Sequence, residues 1–90
     1  MAKNRSYKFR KIKPVISFVY GYRCIICNHF SFENHVHHLN ENADDNTAYN
    51  LVLLCDYHHK MVHKGIRLNY PGLSEFQGRI LYELEKLWSS

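Results

Sequence analysis

Five of the seven histidines in this 90-residue chain fall in two tight groups, His37-His38 and His58-His59 with His63. Two cysteine-bearing signals frame them, Cys24-Ile25-Ile26-Cys27 and Cys55-Asp56-Tyr57-His58. Imidazole and thiolate are the usual ligands for zinc and other borderline metals. The chain carries more of them than one site needs. The surplus predicts two metals, one to hold the fold and another to do chemistry. A single domain of this length has a thin core, and a structural metal is a common remedy.

The formal charge is +4 and the pI about 9.1, but the charge is unevenly placed. Residues 1–13 carry Lys3, Arg5, Lys8, Arg10, Lys11 and Lys13 and no acid, whereas residues 14–90 hold six Lys or Arg against eight Asp or Glu. We read residues 1–13 as a basic N-terminal arm suited to a polyanion, nucleic acid first, and residues 14–90 as the folded domain. Three cysteines do not make a disulfide framework. The apolar run Val15–Tyr20 is too short for a signal peptide or a membrane span. These features predict a soluble, intracellular protein, cytoplasmic in location.

Along the chain, Val15–Tyr20 is apolar and fits either strand or helix. Arg23–Asn28 reads as a cysteine-bearing turn, a zinc knuckle. Residues 33–39 nearly alternate and fit a strand, 40–47 are Asn/Asp-rich and predict a loop, and 50–54 fit a strand buried on both faces. Residues 56–64 fit a short helix stopped by Gly65. The last element is a helix over about 74–88. Ser74 and Gln77 stand at capping-box spacing, and Phe76, Ile80, Leu84 and Leu87 recur at helical intervals. The order predicts an α+β fold with a C-terminal amphipathic helix packed on the metal-bearing unit; a dimer contact is the other use for that helix face.

Cys24, Cys27, Cys55 and His58 form CxxC…CxxH. Each pair presents two ligands from one tight turn, and two such turns can clamp a single zinc ion. His29 and His35 are alternatives to His58 for the fourth position. A redox CxxC is a poorer fit, because Asn28-His29-Phe30 does not open a helix.

His59 and His63 lie four apart on the predicted helix, hence one above the other on one face. That is the geometry that lets HExxH chelate a divalent ion. A third ligand has to come from elsewhere, and the strand pair His37-His38 can offer one. Adjacent strand residues point to opposite faces, so the other imidazole is left for a second role.

Taken together, His37-His38-Leu39, Asn50-Leu51-Val52-Leu53-Leu54-Cys55 and His59-Lys60-Met61-Val62-His63-Lys64-Gly65 resemble the HNH endonucleases of the ββα-metal, or His-Me finger, fold. The CxxC…Cys frame resembles zinc-ribbed members of that family, and the ending His59-x-x-x-His63-Lys64-Gly65 is similar to colicin-type nucleases. The resemblance covers residues 24–65. The three letters of the family name correspond to His38, Asn50 and His59. This chain departs from the family by having His58 where many members have a second cysteine, and His37 where many have aspartate. A histidine ligand favours Zn²⁺, Ni²⁺ or Mn²⁺ beside Mg²⁺.

The resemblance implies a metal-dependent endonuclease that hydrolyses DNA phosphodiesters to 5′-phosphate and 3′-hydroxyl ends. It makes His38 the general base, a role an imidazole with a pKa of about 6.5 can fill near neutral pH. It assigns one catalytic divalent ion to His37, His59 and His63, beside the structural zinc. Asn50 would fasten backbone across the 40–50 loop and so fix His38. Lys60, Lys64, Arg67 and Arg23 are candidate phosphate contacts, with Tyr7, Phe9 and Tyr20 as weaker stacking candidates. No base-reading element is recognisable, which predicts low sequence specificity. Small free-standing members of the family it resembles are often phage-encoded or belong to mobile or restriction systems, and the sequence does not choose among these. A non-catalytic, zinc-stabilised nucleic-acid-binding module is the alternative, although binding alone needs no base beside a metal. A delivered toxin is a third reading, disfavoured by the lack of translocation or receptor domains. The sequence is compatible with a monomer or a homodimer.

Overall fold

The computed structural model describes residues 2–42 and 47–89, and the side chains of 10–42 and 47–87. It is an α+β arrangement of three α-helices and a two-stranded antiparallel sheet among the described residues: α1 (Ala2–Val19), β1 (His35–His38), β2 (Leu51–Leu54), α2 (Asp56–His63) and α3 (Leu73–Ser89). A 3-10 turn over Ala48–Asn50 leads into β2.

From Ala2 onward the basic segment is helical: it forms the first part of α1, which continues without a break into the apolar stretch. Pro14 therefore lies inside a helix rather than at its start. Proline has no N–H for the Arg10 carbonyl. Both residues are exposed, so the freed carbonyl lies on the side where water can take it. Ile12, Ile16 and Val19 are buried on the opposite side of the helix, while Arg10, Lys11 and Lys13 are exposed. The resolution of the strand-or-helix ambiguity is thus a helix, held by the long-range packing of that apolar stripe.

β2 forms the centre. All four of its residues are buried, because α1 packs from one side and α2 from the other. One edge pairs with β1, His35 opposite Leu54 and His37 opposite Val52. On the other edge the Ile25 N–H donates to the Leu53 carbonyl at 3.0 Å, which ties the knuckle to the sheet. Tyr20 closes the core from above: its hydroxyl donates to the Leu51 carbonyl at 3.2 Å and its ring stacks on Phe76 at 4.3 Å. Tyr20 is thereby a core residue and is removed from the candidate base-stacking set; Tyr7 and Phe9 have side chains outside the described ones.

α3 buries Ile80 and Leu84 against α1 and the 3-10 turn, so it braces the sheet through α1 and that turn rather than by lying on the strands themselves. The expected capping box does not form. α3 starts one residue earlier, with the Gly72 carbonyl accepting the Glu75 and Phe76 N–H groups. Gln77 instead donates to the Tyr49 carbonyl at 3.0 Å, linking α3 to the turn before β2. No helix among the described residues is long and apolar enough to cross a membrane.

Candidate metal centres

The knuckle is built by backbone. Cys24 N–H donates to the His29 carbonyl and Asn28 N–H to the Cys24 carbonyl, while Arg23 and Phe30 form an isolated bridge. Asn28 has φ of 66°, a left-handed conformation that asparagine tolerates better than most residues. Buried Asn34 donates from its amide to the Tyr22 and His29 carbonyls, both at 2.9 Å, and so fixes both limbs of the knuckle to the start of β1.

This turn brings Cys24 and Cys27 to Cys55 and His58 at the N-terminus of α2. The four ligand atoms all lie within 4.8 Å of one another, a Cys3His cluster compatible with a structural zinc. Tetrahedral zinc with bonds of about 2.3 Å to sulfur and 2.0 Å to nitrogen spaces its ligand atoms about 3.5–3.8 Å apart. Here Cys27 and Cys55 sulfurs are 3.7 Å apart, Cys24 Sγ is 3.7 Å from His58 Nδ1, and Cys55 Sγ is 3.3 Å from the same nitrogen. The spacing suits an ion and is far too long for a disulfide, about 2.05 Å. Burial opposes a thiolate at Cys24, but the Cys27, Cys55 and Ile26 N–H groups outweigh it and hold the pKa below the ordinary thiol value. At Cys27 burial raises the pKa; the His29 N–H offsets part of that, and the Cys55 and Cys24 sulfurs add to the rise. Crowded sulfurs of this kind are what a divalent cation relieves. His29 and His35, the alternative fourth ligands, lie outside the cluster.

A second cluster lies on the other side of α2. Ligand nitrogens of His37, His59 and His63 also lie within 4.8 Å of one another. His59 Nε2 and His63 Nε2 are 3.0 Å apart, the separation of two ligands at about 90° on one ion with bonds of about 2.1 Å. His37 is buried, its ring edge-on to both helix imidazoles at 5.7 Å. Burial, then repulsion from the other imidazoles, favours the neutral form of the His37 and His59 rings, the form that binds metal. The His37 pKa is lowered by burial first and His63 second, while Glu41 opposes the shift. His59 is lowered to about 4 by burial, then by His35, His63 and His37.

His38 ends β1 and, with Glu41, lines the same open cleft of about 250 Å³ as the three imidazoles. Its backbone is fixed on both sides. The His38 carbonyl accepts the Glu41 N–H at 2.9 Å. The next two amides are taken by Asn50: its carbonyl accepts Leu39 N–H at 2.8 Å, and its side-chain Oδ1 accepts Asn40 N–H at 2.8 Å. Asn50 is buried and sits in the 3-10 turn rather than in the strand.

The candidate phosphate contacts divide. Lys64 and Arg67 are exposed beyond the end of α2. Lys60 pairs with Asp56 at 3.0 Å. Arg23 is drawn into the knuckle, donating to the Asn28 carbonyl at 3.1 Å with its guanidinium 5.4 Å from the centre of the Phe30 ring. One residue beside the cluster was not singled out from sequence as part of it. His35 stacks on His59, ring centres 4.5 Å apart at 14°, and bonds Asp56 at 3.3 Å. Its signal was the two-residue step to His37, which puts both on one strand face.

None of the family models, curated proteins or solved structures compared with this chain matches it. What the site does is therefore inferred from its own geometry.

Proposed function

We propose that the chain is a metal-dependent endonuclease of the HNH, ββα-metal type, acting on DNA, with β1, β2 and α2 as its finger. The observation that carries this reading is the convergence of His37, His59 and His63 on one point with a fourth imidazole, His38, lining the same cleft. A fold-stabilising zinc would use the cysteine cluster; three imidazoles in an open cleft leave ligand positions for a substrate.

His37, His59 and His63 would hold a divalent ion there, which would supply Lewis acidity to the scissile phosphate. His38 takes a proton from the water that attacks phosphorus in line. Asn50 positions that base through the loop amides rather than by touching the substrate. Lys64 and Arg67 neutralise flanking phosphates, as do the exposed Arg10, Lys11 and Lys13 on α1. DNA is preferred to RNA on the resemblance alone.

The test is cleavage of supercoiled plasmid by purified, zinc-containing protein supplied in turn with Mg²⁺, Mn²⁺, Ni²⁺ and Zn²⁺. Nicking or linearisation that EDTA stops supports the reading. Tight DNA binding without cleavage in any of the four metals overturns it in favour of a binding module.

A further inference from the structure

β1 and α2 run past each other with matched spacing. Two residues along a strand advance about 6.6 Å, and four along a helix about 6 Å. His35 and His37 on the strand can therefore each meet an imidazole of α2. His37 joins His59 and His63 in the cluster. His35 sits outside it, flat against His59: the rings lie 4.5 Å apart at 14°, while every ring pair within the cluster is edge-on. The far side of the His35 ring system is tethered. Its Nε2–H donates to Asp56 Oδ1 at 3.3 Å, and the other Asp56 oxygen pairs with Lys60 at 3.0 Å. Asp56 is the first residue of α2, so the tether also ties β1 to the helix that carries His59 and His63.

We propose that His35 is a positioning residue for the three-imidazole site: stacked on His59 and held by Asp56, it sets the plane in which His59 Nε2 faces the metal. This rests on the metal-binding part of the reading above. An imidazole ligand must aim its lone pair along the bond, and its free torsion about the ring axis is broad. His59 is only half-buried, so the protein interior does not fix that torsion. A ring lying parallel against one face does. Groups that orient metal ligands in this way are worth roughly 10–100-fold in affinity.

The experiment is a Co²⁺ titration of protein carrying zinc in its cysteine site, followed by visible absorption, with His35→Ala and His35→Phe beside the wild type. His35→Ala is expected to weaken Co²⁺ binding by about 10-fold or more, with zinc content and amide NMR spectrum otherwise retained. His35→Phe keeps a flat ring and stays close to wild type. Ring-proton NMR of His59 without added metal gives a second readout: the stacked ring shifts those protons upfield in wild type and in His35→Phe, and the shift is lost in His35→Ala. Equal Co²⁺ affinity for wild type and His35→Ala overturns the proposal, as does an unchanged His59 ring signal. Wild-type protein that binds Co²⁺ as described but cleaves no DNA leaves this inference standing and removes the nuclease reading.

Discussion

The Asn50 side chain accepts the Asn40 N–H at 2.8 Å, two residues beyond His38. With the Asn50 carbonyl on Leu39, it ties the two residues that follow His38 to the turn before β2. A buried amide used this way is an orientation device, and its loss leaves an unsatisfied amide behind.

Asn50→Ala is expected to lower plasmid cleavage roughly 10–100-fold, in line with other orienting groups. Stability should fall by about 0.5–1.5 kcal/mol, the net contribution of one hydrogen bond whose partner residue, Asn40, is exposed. Cleavage rates and urea melts on the same preparations check both. Loss of stability with unchanged cleavage would break the link between this residue and His38.

His38→Ala should lower the rate by about 10²–10⁴-fold, the usual contribution of a general base. Zinc content and Co²⁺ affinity should stay at wild-type values, since His38 lies outside both ligand clusters. Cleavage at the wild-type rate would show that another group takes the proton.

Cys24→Ala removes a ligand from the cluster that joins the knuckle to α2. The loss should approach the whole stability of a small domain, about 5 kcal/mol. The variant is expected to lose its zinc and its cooperative thermal transition, as read by metal analysis and circular dichroism. A zinc-free variant with a wild-type melt would assign the cysteines to ordinary core packing.

His59 supplies a pH dependence with a definite sign. Its folded pKa of about 4 lies below that of an exposed imidazole, about 6.5. Between those values the unfolded chain holds more protons, so stability falls as pH drops through that window and is level above it. In protein without metal at the imidazole site, His59→Gln should gain on wild type as pH falls from about 6.5 to 4. Urea midpoints at matched pH measure the gap; a gap that does not change with pH contradicts the assignment.

Lys64→Glu with Arg67→Glu should weaken DNA binding and flatten its salt dependence. Each phosphate contact removed lowers the slope of log K against log salt by about 0.9. An unchanged slope would place the phosphates elsewhere on the surface.

Much of the site was legible in the sequence because its geometry is local. His59 and His63 meet through the helix repeat, and Cys24 with Cys27 through one turn. The role of Asn50 as a loop fastener was implied by the family resemblance, and its bond to the Asn40 N–H agrees with it. What the sequence concealed depends on contacts between elements. α1 was hidden by Pro14 and by six basic residues in a row of thirteen, both poor helix signals on their own. Gln77 matched a local cap, yet its amide found the Tyr49 carbonyl in the folded chain. Arg23 looked like a free cation, but Phe30 and the Asn28 carbonyl claim it. His35 revealed its place only once α2 was laid across β1.

α2 has eight residues and none fully buried, too short to persist by its own hydrogen bonds. It is pinned at its first turn by a cysteine cluster and along its length by imidazoles that look the other way. His58 and His59, adjacent in the chain, belong to different clusters. A reagent that captured the thiols, Cys27 being the exposed one, would unpin the helix and scatter the imidazoles without touching them. Oxidants and heavy metals would then reach the cleft through its back door.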